Sequence, residues 1–142
     1  MKMDFLNFTD KATGKQEFFL KLLSRLDNMD QEQKRKTLQA LIEREKLGDT
    51  CIAPGIALAH AQLDEIAAPV LQIVYLSHPV KWEKDMPSVK IVILLLIPEQ
   101  IDKENQQIIR RLMRFLADEK FCKKMIQATD ELELEKLLTL NS

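Results

Sequence analysis

The chain has 142 residues, of which 46% are hydrophobic and 30% are charged, a composition typical of a globular domain rather than a disordered segment. Its 21 basic and 22 acidic side chains nearly cancel, so the net charge gives no support for binding nucleic acid or an anionic membrane. The length fits one folding unit, and we predict a single domain over residues 1–142.

The apolar segments are too short to span a bilayer. The longest uninterrupted apolar run covers residues 91–97, whereas a spanning helix needs about 20 residues. The start of the chain reaches Asp4 and Asn7 early and has no apolar core of the kind found in signal peptides. We therefore expect a cytoplasmic protein with no direct membrane insertion.

The first elements of the chain are predicted to be a strand and a helix. The apolar patch at residues 5–8 predicts a short strand. Thr13 and Gln16 have the spacing of a capping box, and the apolar residues that follow recur at helical intervals. We therefore predict that a helix starts at this box.

A second helix is predicted to carry Arg44 near its carboxyl end. Asp30 and Gln33 form another capping-box pattern, and Gly48 is a natural stop signal for the helix that follows. A cation in the last turn of a helix interacts favourably with the helix dipole. The helix dipole therefore gives a structural explanation for Arg44.

The middle of the chain is predicted to form strands. Its apolar runs are short, rich in β-branched residues and separated by prolines; they lie at residues 56–58, 70–76 and 89–97. The last run is apolar on both faces, which indicates a strand in a sheet that is covered on both sides.

Helical spacing returns in the last third of the chain. Apolar residues predict one helix around 108–116, a second around 121–126 and a short third at 132–138. Since helices precede and follow the strands, the fold class predicted is α/β, a three-layer α/β/α sandwich.

Two histidines, His60 and His78, limit where histidine chemistry can occur. His60 directly follows the predicted strand 56–58, so its ring is expected to emerge at the end of that strand. Imidazole has an ordinary pKa of about 6.5, so His60 could be a nucleophile, a general base, a metal ligand or an inert hydrogen-bonded residue. His78 stands beside Pro79 and is predicted to lie in an exposed loop.

Several common kinds of site lack their sequence patterns. There is no HExxH motif or Cys/His cluster, and Cys51 and Cys122 are isolated residues expected to lie in or near the core. The chain also has no Gly-x-Ser-x-Gly elbow and no glycine-rich phosphate loop. No metal ion or cofactor is therefore predicted, and nucleic-acid binding is not expected.

Phosphoryl transfer fits these residues better. A neutral imidazole nitrogen can attack a phosphoryl group and form a labile phosphorus–nitrogen bond. Such a site also needs donors for the anionic oxygens, and the planar guanidinium of Arg44 suits them. The pairing with His60 favours this role over that of a solvated helix end. Trp82 is predicted to be a packing anchor rather than a platform for a ligand.

Two segments carry a resemblance to a known family. Residues 41–50, LIEREKLGDT, and residues 55–60, GIALAH, resemble the IIA domains of the bacterial phosphoenolpyruvate-dependent sugar phosphotransferase system. Among these IIA domains the chain resembles the mannitol and fructose class, which includes nitrogen-regulatory paralogues. The tail also fits, at residues 115–119 and 131–138. The resemblance covers about residues 5–138 and depends on the order and spacing of these segments.

The resemblance implies a cytoplasmic phosphocarrier without a cofactor, a component of a phosphotransferase. His60 would accept a phosphoryl group from the histidine phosphocarrier protein HPr and pass it to a cysteine on the IIB domain of a sugar permease. Arg44 matches the family's active-site arginine. The family's fold is a three-layer sandwich around a small mixed sheet, in agreement with the layers predicted above.

The chain departs from the family pattern around its histidine. Ala59 stands where the family usually has proline, so the backbone before His60 is less constrained, and Ala61 replaces a residue that is often glycine. Asn105 aligns with a second active-site histidine that many members carry. An amide donates a hydrogen bond but does not titrate or carry positive charge.

Two functions therefore remain open at this point. His60 together with Arg44 favours a phosphocarrier that works with HPr and a IIB domain. Ala59 and Asn105 favour a degenerate regulatory or interaction module that keeps the fold and is phosphorylated poorly or not at all.

We expect Asn105→His to speed phosphoryl transfer to His60, because imidazole can carry the positive charge that the amide lacks. Rapid-quench measurement of the transfer rate in the variant and in the unaltered chain checks this. An unchanged or slower rate would contradict the placement of Asn105 beside His60.

Overall fold

A computed structural model describes residues 3–140, so the ends of the predicted domain, positions 1, 2, 141 and 142, lie outside the described residues. The elements, in chain order, are β1 (Met3–Phe8), α1 (Lys15–Leu23), α2 (Gln31–Lys46), β2 (Cys51–Ala53), β3 (Ile56–Gln62), β4 (Val70–Val80), β5 (Val89–Ile97), α3 (Lys103–Leu116), α4 (Glu119–Gln127) and α5 (Glu131–Leu140).

The five strands form one mixed sheet in the order β1-β4-β5-β3-β2. The pairs β1/β4 and β3/β5 are parallel, whereas β4/β5 and β2/β3 are antiparallel. The central strand β5 is almost entirely buried, as its continuous apolar sequence predicts. The mixed sheet implied by the family resemblance is therefore confirmed.

Helices cover both faces of the sheet, and each face has its own hydrophobic cluster. One cluster joins the sheet to α1 and α2, and its helical members include Phe18, Phe19, Leu22 and Leu41. The other joins the sheet to α3, α4 and α5, through residues such as Leu112, Phe121, Met125 and Leu134. The predicted three-layer α/β/α sandwich is thus confirmed. None of the helices within residues 3–140 has the length and apolar character needed to cross a membrane.

One predicted capping box is wrong and the other is confirmed. Helix α1 has Gly14 as its N-cap, with no side-chain cap, because the Thr13 hydroxyl instead donates to the Glu17 carboxylate at 2.7 Å. Helix α2 has the full box: the Asp30 carboxylate accepts from the Gln33 backbone at 2.8 Å, and the Gln33 side chain accepts from the Asp30 backbone at 3.1 Å. Gly48, with φ of +150°, follows the end of α2 as predicted.

Strands β3 and β4 are longer than the apolar runs that predicted them. His60 therefore lies within β3 rather than after its end, and His78 lies within β4 rather than in a loop, although it is exposed. The register of β4 against β5 is irregular between Tyr75 and Val80. Pro79, which has no N–H to donate, is tolerated in this irregular segment. The three-residue strand β2 was not predicted, since so short a run has no readable alternation.

We expect Asp30→Ala to lower the free energy of unfolding by about 1 kcal/mol, because the first turn of α2 loses its side-chain cap. Urea denaturation at neutral pH measures the change. Asp27→Ala is the matched control, since Asp27 is exposed and precedes the helix without capping it. Equal losses in the two variants would contradict the capping role.

The pKa of Glu17 predicts a pH-dependent contribution to stability. The Thr13 hydroxyl, followed by the Lys21 ammonium, holds this pKa at about 2, below the ordinary 4.5. Because the folded-state pKa is the lower one, the carboxylate stabilises the fold above pH 4.5, and this contribution is lost as the pH falls towards 2. Glu17→Gln should therefore destabilise the chain at neutral pH and have little effect near pH 2. Urea denaturation between neutral pH and pH 2 measures the change in the free energy of unfolding. A pH-independent effect would contradict the assignment.

Candidate functional site

His60 lies on β3 at the point where this strand loses its neighbour β2. The register of β2 against β3 extends only to Ala57, and a backbone hydrogen bond of 2.9 Å from Leu58 to Thr50 continues the contact by one residue. In the described part of the chain, the edge of β3 that carries His60 is therefore open on the β2 side. An open edge allows a side chain from a neighbouring helix to approach.

The alternation of β3 determines which layer His60 faces. Ala57 and Ala59 pack in the cluster of α1 and α2, whereas Ile56 and Leu58 pack in the cluster of α3 to α5. His60 has the parity of Ile56 and Leu58, so it projects towards α3 to α5.

Arg44 comes from the opposite layer and still contacts this histidine. It lies in the last turn of α2, and its Nε donates a hydrogen bond to His60 Nε2 at 3.3 Å. Both residues are half-buried. Because α2 covers the other face, the Arg44 side chain reaches the imidazole around the open edge of β3.

The hydrogen bond from Arg44 shows which ring nitrogen of His60 accepts and therefore which one carries the proton of the neutral ring. Arginine is only a donor, so Nε2 carries the lone pair and the neutral ring carries its proton on Nδ1. Nδ1 is buried and has no hydrogen-bond partner among residues 3–140, and the same is true of Arg44 Nη1. Nε2 is therefore the nitrogen placed to act as a nucleophile, with a cation already beside it.

Asn105 lies at the same end of the sheet as His60. Strands β3 and β5 are parallel, and α3 follows β5 directly, so the first turn of α3 lies near the carboxyl end of both strands. This turn contains Asn105, whose backbone N–H donates to the N-cap Asp102 at 2.8 Å. Helix α3 also packs on the face towards which His60 projects. Both the placement of the Asn105 amide beside His60 and its role in transfer stay predictions.

Comparison with known proteins identifies the family. The family model for the phosphoenolpyruvate-dependent sugar phosphotransferase system, EIIA 2, matches residues 1–140. The chain belongs to this family. A nitrogen regulatory protein of Bradyrhizobium diazoefficiens is 27% identical over 131 residues, which cover 92% of this chain and 86% of the relative. With four further nitrogen regulatory proteins, the match spans between 50% and 64% of the relative's length.

Solved structures have the same fold as this EIIA-family chain. The nitrogen regulatory protein IIA-Ntr from Neisseria meningitidis superposes with a TM-score of 0.74 at 19% identity, covering 94% of this chain and 92% of that one. Enzyme IIA for mannitol from Escherichia coli, solved in complex with phosphorylated enzyme IIB, gives a TM-score of 0.67 at 22% identity and covers 94% and 93% of the two chains.

Sequence reasoning missed a polar cluster beside Arg44 in this EIIA-family chain. We call it the Glu45 network; its members are Lys15, Glu45, Thr50, Trp82 and Glu83. The Lys15 ammonium lies 3.0 Å from the Glu45 carboxylate and 2.6 Å from the Glu83 carboxylate. The Thr50 hydroxyl donates to Glu45 at 2.8 Å and accepts from the Trp82 indole at 2.9 Å. Burial acts to lower the pKa of Lys15, but the hydrogen bonds to the two carboxylates outweigh it and raise this pKa.

The sequence contained only part of the signal for this network. Glu45 and Thr50 lie in the segment that carries the family resemblance, but a glutamate in a charged run is typical of a solvated surface. Lys15 and Glu83 are distant in sequence from it. Trp82 is the packing anchor that was predicted: it is 4% exposed and packs edge-on against Phe18 and Phe19.

The two cysteines take no part in the contact between Arg44 and His60. Cys122 is buried and Cys51 is half-buried, in agreement with their predicted places in or near the core. Burial, with a smaller contribution from Asp49, raises the pKa of Cys51 to about 12, so its thiol is a poor nucleophile at neutral pH. Within residues 3–140, no group of three or more His, Cys, Asp or Glu residues is placed to hold a metal ion.

Proposed function

We propose that this chain is a cytoplasmic phosphocarrier that accepts a phosphoryl group from HPr on His60 and passes it to a IIB domain for sugar uptake. The observation that carries the proposal is the 3.3 Å contact from Arg44 Nε to His60 Nε2, with Nδ1 buried. Family membership supports a role in phosphoryl transfer. The mannitol relative solved with phosphorylated enzyme IIB supports a IIB partner.

The chemistry has two balanced steps. The Nε2 lone pair of His60 attacks phosphorus and forms a new P–N bond, while the P–N bond of the donor phosphohistidine breaks and returns its electron pair to the donor ring. The donor ring, protonated on its other nitrogen, leaves neutral, and His60 keeps its proton on Nδ1. A cysteine thiolate of the IIB domain then attacks phosphorus, forms a P–S bond and releases His60 as the neutral imidazole.

Arg44 has a different role before and after transfer. In the free protein its Nε donates to the lone pair of Nε2. Once that lone pair is in the P–N bond, the guanidinium can donate to the phosphoryl oxygens instead, and Nη1 supplies a second donor. Since phosphoryl transfer depends mostly on positioning and on charge stabilisation, these donors act where negative charge accumulates.

A second candidate function is a regulatory or interaction module that is phosphorylated poorly or not at all. Two observations favour it. Residue 105, which the family resemblance aligns with a second active-site histidine, is asparagine here and carries no positive charge. Five relatives bear the name nitrogen regulatory protein, and one of them is aligned over 92% of this chain.

Intact-mass spectrometry with phosphoenolpyruvate, enzyme I and HPr tests the proposal. We expect a gain of one phosphoryl group that is acid-labile and absent from His60→Ala, because no other ring nitrogen is paired with an arginine in the described residues. His78→Ala is the matched control and should gain the group normally, since His78 is exposed on β4. No gain with fully phosphorylated HPr present would favour the regulatory module.

The same assay followed over time tests Arg44. Arg44→Lys keeps the positive charge but loses the planar pair of donors, so transfer should slow by roughly a hundredfold. A rate within about twofold of the unaltered chain would contradict its role at the phosphoryl group.

A further inference from the structure

The last turn of α2, which carries Arg44, has little apolar anchoring. The fully buried residues of this helix, Thr37 and Leu41, lie before that turn, and Leu47 at its end is 82% exposed. The Glu45 side chain, by contrast, is only 6% exposed. A charged group therefore occupies the position that a leucine would fill in an ordinary amphipathic helix.

The Glu45 carboxylate joins α2 to three other parts of the chain. It contacts Lys15 in the first turn of α1 and Thr50 just before β2, and through Thr50 it is connected to Trp82 after β4. A charge removed from water is costly unless its partners are well placed. The network therefore tolerates little displacement of the helix end.

We propose that Glu45 is a positioning residue that holds the last turn of α2 so that Arg44 meets His60 Nε2. Neighbouring residues of a helix project about 100° apart, so Glu45 can point to the network while Arg44 points to the edge of β3. The kinetic part of this inference rests on the proposed phosphocarrier function. A misplacement of about 1 Å can slow a positioned reaction by up to a hundredfold.

The chain offers a matched control in the same helical turn. Glu43 pairs with Lys46 at 3.5 Å, but both side chains are about two-thirds exposed, at 63% and 67%. An exposed pair of this kind contributes little to the structure. Glu43→Gln therefore removes the same charge from the same turn without touching the Glu45 network.

The first experiment is nitrogen-15 NMR of the Arg44 Nε–H group in Glu45→Gln and Glu43→Gln, combined with transfer rates at saturating phosphorylated HPr. In Glu45→Gln we expect the Arg44 signal to move to the position of exposed arginines and the transfer rate to fall by roughly ten- to a hundredfold. In Glu43→Gln both should stay as in the unaltered chain. A merely structural role for Glu45 would lower the melting temperature and leave the Arg44 signal in place.

A second pair of variants covers the case in which Glu45→Gln does not fold. Thr50→Val removes the hydroxyl that donates to Glu45, and Thr50→Ser restores it, so the Arg44 signal should move in the first and return in the second. An Arg44 signal that stays unchanged in folded Glu45→Gln or Thr50→Val would overturn the inference. If the unaltered chain is not phosphorylated at all, the proposed function fails, while the Arg44 signal still decides whether Glu45 positions this side chain.

Discussion

The burial of β5 on both of its faces is the constraint on which the rest of the fold depends. Its apolar sequence needs a helical layer on each side and a neighbouring strand on each edge, and β4 and β3 fill those edges. The parallel pairing with β3 brings the carboxyl ends of β3 and β5 to one end of the sheet. His60 and the start of α3 lie there for that reason.

The site also depends on where the sheet stops pairing. Strand β2 has only three residues, so β3 has a partner beyond β5 for only part of its length. Arg44 contacts His60 from the opposite layer, around this unpaired part of the edge. A longer β2 would cover this edge with backbone and separate the arginine from the histidine. An incomplete sheet thus brings together two side chains that belong to different faces.

The contacts at the end of α2 affect both the stability of the helix and the geometry of the site. This helix starts with a capping box and ends in a turn whose Glu45 carboxylate contacts Lys15 of α1 and Thr50, which lies just before β2. Hydrogen bonds are directional, whereas apolar contacts tolerate sliding, so a polar attachment restricts the orientation of the turn more strongly. The residue next to this attachment is Arg44, and its position therefore reflects the network as well as the helix.

The amino-acid sequence by itself predicted the layers and the elements other than β2, because periodicity is a local property. Residue chemistry and the family resemblance gave His60 with Arg44 as the expected site. The sequence did not predict the lengths of the strands. Strands β3 and β4 extend past their apolar runs because backbone pairing continues where side chains are polar. Only the tertiary structure decided that Arg44 reaches His60 around a sheet edge and that Glu45 is enclosed with Lys15. Those contacts join residues distant in the chain, and no local pattern records which distant charges will meet.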